Sequence, residues 1–594
     1  MRSFRRVAVC GALALWLAAQ ANAWAGPAPG ERLTEPFLQN PDSDSVSVVW
    51  FTEDQGLAHE VRVGAQQRRY PAETRRIDGL FEDAASFVAG QAGDGATYKA
   101  LIARPVFRHE ARVDGLTPGE RLSYFVRDVS ADGAIRRSDV YSLAPAPPPG
   151  AGLKILLTSD HQLKPMTAVN IRKLAETVPR IDAVFFAGDL VNHPIRASEW
   201  FDDARGRAFF PVLQGRADHA LERATPQGRR RLHYRGAPIL QHAPIFPAIG
   251  NHEVTGRFDP EHDIARQFNA PRPRAWAEAE YLSLQSLLNP ASDPDYRRRW
   301  VEDGSWSTRV YEDVFTLPAD SPGGERYYFK RFGDVGLISL FATRIWRSPG
   351  GGPDRTGRFH ERPADLDRPD RWGGGAFVFE PIARGSAQYA WLDRTLRAPG
   401  FQTAPIKIVM LHHPPRGLGD NVVPPFGPPR PELLRGADGR LTAVRYRYPR
   451  DDNPLIRDLE PLFEAAGVDL VFFGHSHLWQ RLRTRTGMHY LESSNVGNTY
   501  GCRHGDRRRS DPVFDAENHT PSGDPYGLRP EWPSVFSPQT GADGKPSPCV
   551  ASNELTVFSV LDTARRSVDS YVFDTTNPDA LVQRFDSFVL ERER

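Results

Sequence analysis

The chain has 594 residues, room for more than one domain, and its 40% hydrophobic and 25% charged content is that of a globular protein, which excludes wholesale disorder. Lys and Arg number 75 against 74 Asp and Glu, a formal net charge of +1, which argues against a dedicated nucleic-acid binder. The short basic runs at 229–231, 297–299 and 507–509 read as solvated surface rather than as phosphate-reading patches.

At the start of the chain, Arg2, Arg5 and Arg6 precede an apolar run over 7–19. Small residues follow, with cleavage patterns at Ala21-Asn22-Ala23 and Ala23-Trp24-Ala25. This is the layout of an export signal over residues 1–25. The run is shorter than the ~20 apolar residues that span a bilayer, and no later stretch is long enough. A secreted or periplasmic protein without a membrane span after signal removal is expected. The Arg5-Arg6 pair leaves both general and twin-arginine export open. Of 3 cysteines, Cys10 departs with the signal. Cys502 and Cys549 flank a Pro/Gly/Asp-rich insertion, 502–549, and are expected to form a disulfide in an oxidising compartment.

Residues 27–146 read as β. Val46-Ser47-Val48-Val49-Trp50 is a strand, and Ala111-Arg112-Val113, Leu116-Thr117-Pro118-Gly119-Glu120 and Leu122-Ser123-Tyr124-Phe125-Val126 are strand, turn and strand. The order Trp50, Leu116-x-Pro118-Gly119, Tyr124 resembles a fibronectin type III sandwich and is similar to the small N-terminal domain of purple acid phosphatases. The stacked prolines at 147–149 and Gly150 mark a linker, 147–151.

Beyond the linker, short apolar runs each end at a polar residue. Residues 153–157 lead to Asp160, 181–186 to Gly188-Asp189, 406–411 to His412, and 468–473 to Gly474-His475. Each predicts a buried strand of an α/β domain, with helices over 166–176 and 387–396 between them. Ligands of open α/β sheets gather at such carboxyl ends. The long segments 255–325, 416–450 and 501–550 are expected to build the pocket walls.

The polar residues form five ordered motifs: Asp160-His161-Gln162; Gly188-Asp189-Leu190-Val191-Asn192; Gly250-Asn251-His252-Glu253; Val409-Met410-Leu411-His412-His413-Pro414; and Gly474-His475-Ser476-His477. Carboxylates, an amide and imidazoles together suit a pair of borderline divalent cations such as Zn, Mn or Fe. Two neighbouring cations need an anionic bridge, which Asp189 can supply. Gly188 and Gly474 are expected to turn the backbone sharply. His475 and His477, at i and i+2, are expected to face the same way on an extended segment, one toward each metal. Taken singly each motif is weak; the ordered set, each member behind a strand, is specific.

This set resembles the calcineurin-like metallophosphoesterase superfamily, in its purple-acid-phosphatase-like branch, over about residues 152–574, with 575–594 left as a C-terminal extension. The resemblance implies an all-β N-terminal sandwich followed by an α/β metallophosphoesterase domain, a two-sheet sandwich flanked by helices. It implies one metal held by Asp160, Asp189 and His477, and another by Asp189, Asn251, His412 and His475. His252 is implied as the catalytic imidazole, and Arg481 as the arginine that often trails the last motif. Three positions depart from the pattern. Gln162 stands where a His ligand is common, and its amide oxygen could ligate, while His161 points away if the segment is extended. Asn192 stands where purple acid phosphatases carry the Tyr whose phenolate binds Fe(III) and gives the colour. Either His412 or His413 could be the ligand; the register favours His412 and leaves His413 supporting or facing substrate.

The implied activity is hydrolysis of a small-molecule phosphate monoester. Two metals bring the pKa of a bound water toward ~7, and the resulting hydroxide attacks phosphorus in line. His252 serves the leaving oxygen. A phosphodiesterase or nucleotidase using the same site is the alternative within the class. A catalytically inert cell-surface binding protein working through the β module is the alternative outside it. No P-loop, G-x-S-x-G or other covalent-nucleophile motif is present.

Overall fold

The structure, a computed structural model, describes residues 32–91, 97–225, 228–345, 347, 356–419, 421, 426–505, 522–541 and 544–591. The export signal, 1–25, and the basic run 507–509 lie outside the described residues.

The N-terminal part is all β. One sheet runs in the order Phe37–Asp42, Ser45–Thr52, Val106–Val113, Glu73–Ile77. The other runs Ile135–Arg137, Leu122–Val129, Ala58–Val63, Arg68–Pro71, with Tyr141–Leu143 also paired to Leu122–Val129. All eight residues of Ser45–Thr52 are buried. The reason lies in the alternation of side chains along a strand. Val46, Val48 and Trp50 face the sandwich's own core with Val61, Val126 and Tyr124. Val49 and Phe51 face the opposite way and belong to the main core of the following domain. Phe51 lies 5.2 Å from Phe201 and 5.7 Å from Phe210, ring centroid to ring centroid. The sandwich is therefore fused to its neighbour through a dry interface rather than hung from a flexible linker. The linker itself is docked, with Gly150 N donating to Asp334 Oδ1 at 2.9 Å.

The second part is built from two sheets that pack face to face around one core containing Leu156, Phe185, Ile408, Val471 and Phe558. One has six strands, in the order Ile245–Pro247, Ala183–Phe186, Lys154–Thr158, Leu555–Asp562, Ser567–Asp574, Gln583–Val589. Its first three strands are parallel and the rest antiparallel. The other has seven: Tyr328–Phe332, Val335–Ser339, Ile406–Met410, Leu470–Phe473, His489–Ser493, Trp479–Arg483, Cys549–Val550. Its four strands from Val335–Ser339 to His489–Ser493 are mutually parallel. The helices Thr167–Thr177 and Ala387–Arg397 cover the sheets, burying Ile171 and Leu174 and Trp391 and Leu392. The expected C-terminal extension is a correction: Gln583–Val589 pairs with Ser567–Asp574 and forms the edge of the six-stranded sheet. Its Phe585 and Phe588 are buried in the main core, a register shift opposite Ser570 and Tyr571 letting residues three apart both face inward. Among the described residues no helix is long and apolar enough to cross a membrane.

Candidate metal centre

The centre forms where the carboxyl ends of parallel strands from both sheets meet. Asp160, Asp189 and Asn251 follow three adjacent strands of the six-stranded sheet, and His412 and His475 follow two adjacent strands of the seven-stranded one. The backbone there is unusual. Asp160 (φ 58°), Gln162 (36°), Asp189 (59°), His475 (82°) and His477 (53°) are all left-handed. A non-glycine residue held this way costs ~1–3 kcal/mol, and such outliers concentrate at functional sites. Two expectations are corrected here. His475 and His477 do not share an extended segment, and it is the left-handed backbone at each that aims its ring. Gly474 is not a left-handed turn residue; a Cβ there would lie 2.1 Å from Ser159 Oγ and 2.4 Å from Asp160 Oδ2. Its glycine allows a close approach. Gly188, with φ 95°, does turn the chain as expected.

The side chains converge. Ligand atoms of Asp160, Asp189 and His412 all lie within 4.8 Å of one another, and so do those of His412, His413 and His475. Asp189 stands in the middle. Its Oδ2 is 3.2 Å from His412 Nε2 and accepts from Gln162 Nε2 at 2.6 Å, while its Oδ1 accepts from His252 N at 2.9 Å. On one side His412 Nε2 is 3.2 Å from Asn251 Oδ1. On the other, His477 Nε2 is 3.3 Å from Asp160 Oδ1. Asp160 Oδ2 accepts from His475 N at 2.9 Å, which brings the first and last motifs into contact.

Three observations bear on whether these residues fit divalent cations. Asp160 Oδ1 and Gln162 Oε1 are buried acceptors without a hydrogen-bond donor. His412 Nδ1 pairs with Ala187 O at 2.8 Å and His477 Nδ1 with Asn498 O at 2.8 Å, so each ring turns its Nε2 lone pair into the centre. Burial, then the neighbouring imidazoles, hold His475 and His413 well below the ordinary imidazole range, in the neutral form that ligates. Burial would lower His412 too, but Asp189 and Asp160 push it up to about 10, so a cation at Nε2 competes with a proton there. The donor set fits.

Around this ring, unassigned residues hold the backbone. Glu253 accepts from Asp189 N, Leu190 N and Gly250 N at 2.8, 2.8 and 2.7 Å. Glu492 accepts from Ser476 N and Gln480 Nε2, each at 2.6 Å. The sequence places Glu253 inside a motif, which is a signal; nothing local marks Glu492. His252 Nδ1 is 2.7 Å from Asn192 O, so Asn192 contributes its carbonyl. That bond leaves His252 Nε2 for the cavity, of about 280 Å³, which His252 lines with Asp189, Asn251, His475 and His477. Gln162, Phe268, Ile345, Phe379, Tyr500 and His193 line it too. Of the long segments expected to wall the pocket, 255–325 supplies Phe268, Asn269 and Pro271 and the described part of 501–550 none, while Tyr500 comes from just before it. Of the described part of 416–450, Arg430–Arg435 and Leu441–Arg447 form a hairpin and no residue lines the cavity, but Asn421 Nδ2 donates to His475 O at 2.6 Å and Phe426 packs 5.8 Å from His413.

Other expected residues are placed differently. Arg481 does not reach the cavity: it lies in Trp479–Arg483, and its Nε donates to Asp586 Oδ2 at 3.0 Å on the edge strand. His161 is not at the surface; it is 2% exposed, packs on Phe186, and its Nε2 lies 3.2 Å from Thr158 Oγ1. His413 stacks on His475 at 3.9 Å between ring centroids and pairs through Nδ1 with Thr343 Oγ1 at 2.8 Å. A disulfide joins Cys502 to Cys549, with Cα atoms 6.6 Å apart, two residues beyond Tyr500, whose ring lies 4.8 Å from His477.

The calcineurin-like phosphoesterase family matches the chain over residues 153–478, more than half its length. Among solved structures the chain is similar to the purple acid phosphatase PPD1 from yellow lupin (Lupinus luteus) seeds, at 14% identity and a TM-score of 0.49, covering 93% of this chain and 73% of that one. It is also similar to GAP50, the anchor in the inner membrane complex of Plasmodium, at 8% identity and a TM-score of 0.29, covering 73% and 89%. Neither likeness is close enough to argue from. No curated protein matches.

Proposed function

This chain belongs to the calcineurin-like phosphoesterase family, and we propose that it hydrolyses small-molecule phosphate monoesters at a centre for two divalent cations. In this reading Asp160, Asp189, His477 and Gln162 hold one cation, and Asp189, Asn251, His412 and His475 hold the other. The observation that carries it is the position of Asp189, whose carboxylate stands between the His412–Asn251 pair and the Gln162 amide beside Asp160. When bound, such a pair lowers the pKa of water toward ~7 and neutralises charge on the phosphoryl oxygens. The protein's own groups do the rest. Gln162 Oε1 and Asp160 Oδ1, buried without donors, turn acceptors inward. His252, its Nδ1 bonded to Asn192 O, presents Nε2 to carry the proton of the leaving oxygen. Phe268, Ile345 and Phe379 line the same cavity and exclude water beside the substrate's organic part. A cavity of about 280 Å³ suits one phosphoryl group with a small substituent. The export-signal pattern at 1–25 and the Cys502–Cys549 disulfide support work outside the cytoplasm.

The test compares the metal-loaded wild type with His252→Ala on alkyl and aryl phosphate monoesters and on a diester. The wild type should release phosphate from monoesters fastest. His252→Ala should keep its metal and lose ~10²–10⁴-fold on alkyl esters. It should lose much less on aryl esters, whose leaving groups need little protonation. Wild-type protein that turns over none of these esters would sink the reading.

A further inference from the structure

The imidazole assigned to the leaving group is braced from outside its own domain. The short strand Phe81–Glu82 pairs with Ile102–Ala103 in the N-terminal part, and Phe81 also bridges to Arg196 beside the centre. The next residue, Asp83, is 2% exposed. Its carboxylate accepts from Ala85 N at 3.0 Å and from Ser86 Oγ at 3.4 Å in its own loop. The remaining bonds leave the N-terminal part. Arg196 Nη2 donates to its two oxygens at 3.1 and 3.2 Å, and Ile264 N donates to Oδ2 at 2.9 Å.

Both outward bonds lead to His252. Along the first, Arg196 Nη1 donates to Glu199 Oε1 at 2.9 Å. Glu199 Oε2 accepts from Asn192 N at 2.7 Å and His193 N at 2.8 Å, and Asn192 O faces His252 Nδ1 at 2.7 Å. Along the second, Ile264 opens the helix Ile264–Phe268, whose last residue lays its ring 5.1 Å from His252 and 5.3 Å from His193. Arg196 and Glu199 are 6% and 2% exposed, so these contacts are shielded from competing water. Glu82 anchors the same helix that carries Glu199, accepting from Ser198 N at 2.7 Å and from Arg104 Nη1 at 3.0 Å.

We propose that Asp83 is a positioning residue for His252, through which the N-terminal sandwich sets the orientation of the leaving-group imidazole. The Arg196–Glu199–Asn192 chain fixes which ring nitrogen faces the cavity, and the Ile264 helix fixes the plane of the ring. The proposal rests on the reading of His252 given above.

The experiment measures kcat and KM of the metal-loaded full chain on one alkyl and one aryl phosphate monoester. Asp83→Ala and Asp83→Asn are compared with wild type, each with and without His252→Ala. A 1 Å misplacement of a catalytic group costs ~10²-fold, so Asp83→Ala should lower kcat on the alkyl ester about 10–100-fold. KM and metal content should hold, the aryl ester should suffer far less, and no further loss should appear in the His252→Ala background. Asp83→Asn keeps an acceptor for Ile264 N but loses the ion pair. It should show a smaller loss with the same leaving-group bias, and it serves if Asp83→Ala does not fold. Equal losses on both esters, or losses that add to that of His252→Ala, overturn the proposal. An unbiased His252→Ala overturns the reading of His252 and this proposal with it. A biased His252→Ala beside unbiased Asp83 variants overturns this proposal alone.

Discussion

Gly474→Ala should disassemble the centre with a single methyl group. A Cβ at 474 would sit 2.4 Å from Asp160 Oδ2, where ordinary contact begins at 3.4 Å, so the carboxylate must retreat by 3.4 − 2.4, about 1 Å. Ser159 cannot absorb the change, because its Oγ would be 2.1 Å away and is itself bonded to Gly188 O at 3.1 Å. Metal–ligand distances tolerate ~0.2 Å, so Asp160 would leave any cation's reach. Overpacking of this kind also costs ~1–3 kcal/mol of stability. Changes that disturb only the groups behind a ligand already weaken metal affinity ~10–100-fold, and displacing a ligand should do at least that. The assay is metal content by elemental analysis, with phosphate release and thermal melting on the same preparation. Gly474→Ala with full metal and wild-type turnover would refute the placement of Asp160 in the centre.

Further outcomes follow from single contacts. Loaded with iron, the protein should show no visible phenolate charge-transfer band, because Asn192 offers only a carbonyl and that faces His252; a strong band abolished by Tyr500→Phe would contradict this. Reducing the Cys502–Cys549 bond, across a sequence separation of 47, should cost up to about 4 kcal/mol on the loop-entropy account, read as a drop in melting temperature; a melt indifferent to reductant would count against a stabilising role. Burial, then His59, pushes His109 down to about 3. The unfolded value is 6.5, so His109 costs the fold nothing above pH 6.5 and an increasing amount of stability as pH falls from 6.5 toward 3, where only the unfolded chain takes up the proton. His109→Gln should therefore flatten the loss of melting temperature between pH 7 and 4, and parallel curves for the two proteins would show that His109 is not its source.

The sequence announces most of this centre because its strands are buried on both faces. Apolar runs such as 408–411 carry the strand to its carboxyl end, so the first polar residue after them, His412, itself fully buried, is a member of the site. Left-handed backbone at Asp160, Asp189, His475 and His477 carries no periodic signature, so the aim of each side chain was not legible even where its presence was. Arg481 shows the limit of carrying a role by position: Asp586, over a hundred residues away, takes its guanidinium. The fused interface was half visible, since the apolar character of both Val48 and Val49 betrays a strand with two dry faces but not what covers the second. Asp83 and Glu199 could not be read at all, because an isolated carboxylate shows its role only through partners brought near by folding, as Arg196 is to Asp83.

The account turns on two cations acting together. Metal-stripped protein titrated with a divalent cation, with phosphate release from a monoester followed at each addition, tests that directly. Activity should be absent at the start and should rise until about two equivalents per chain are bound. Full turnover by the stripped protein, or saturation at a single equivalent, would contradict it.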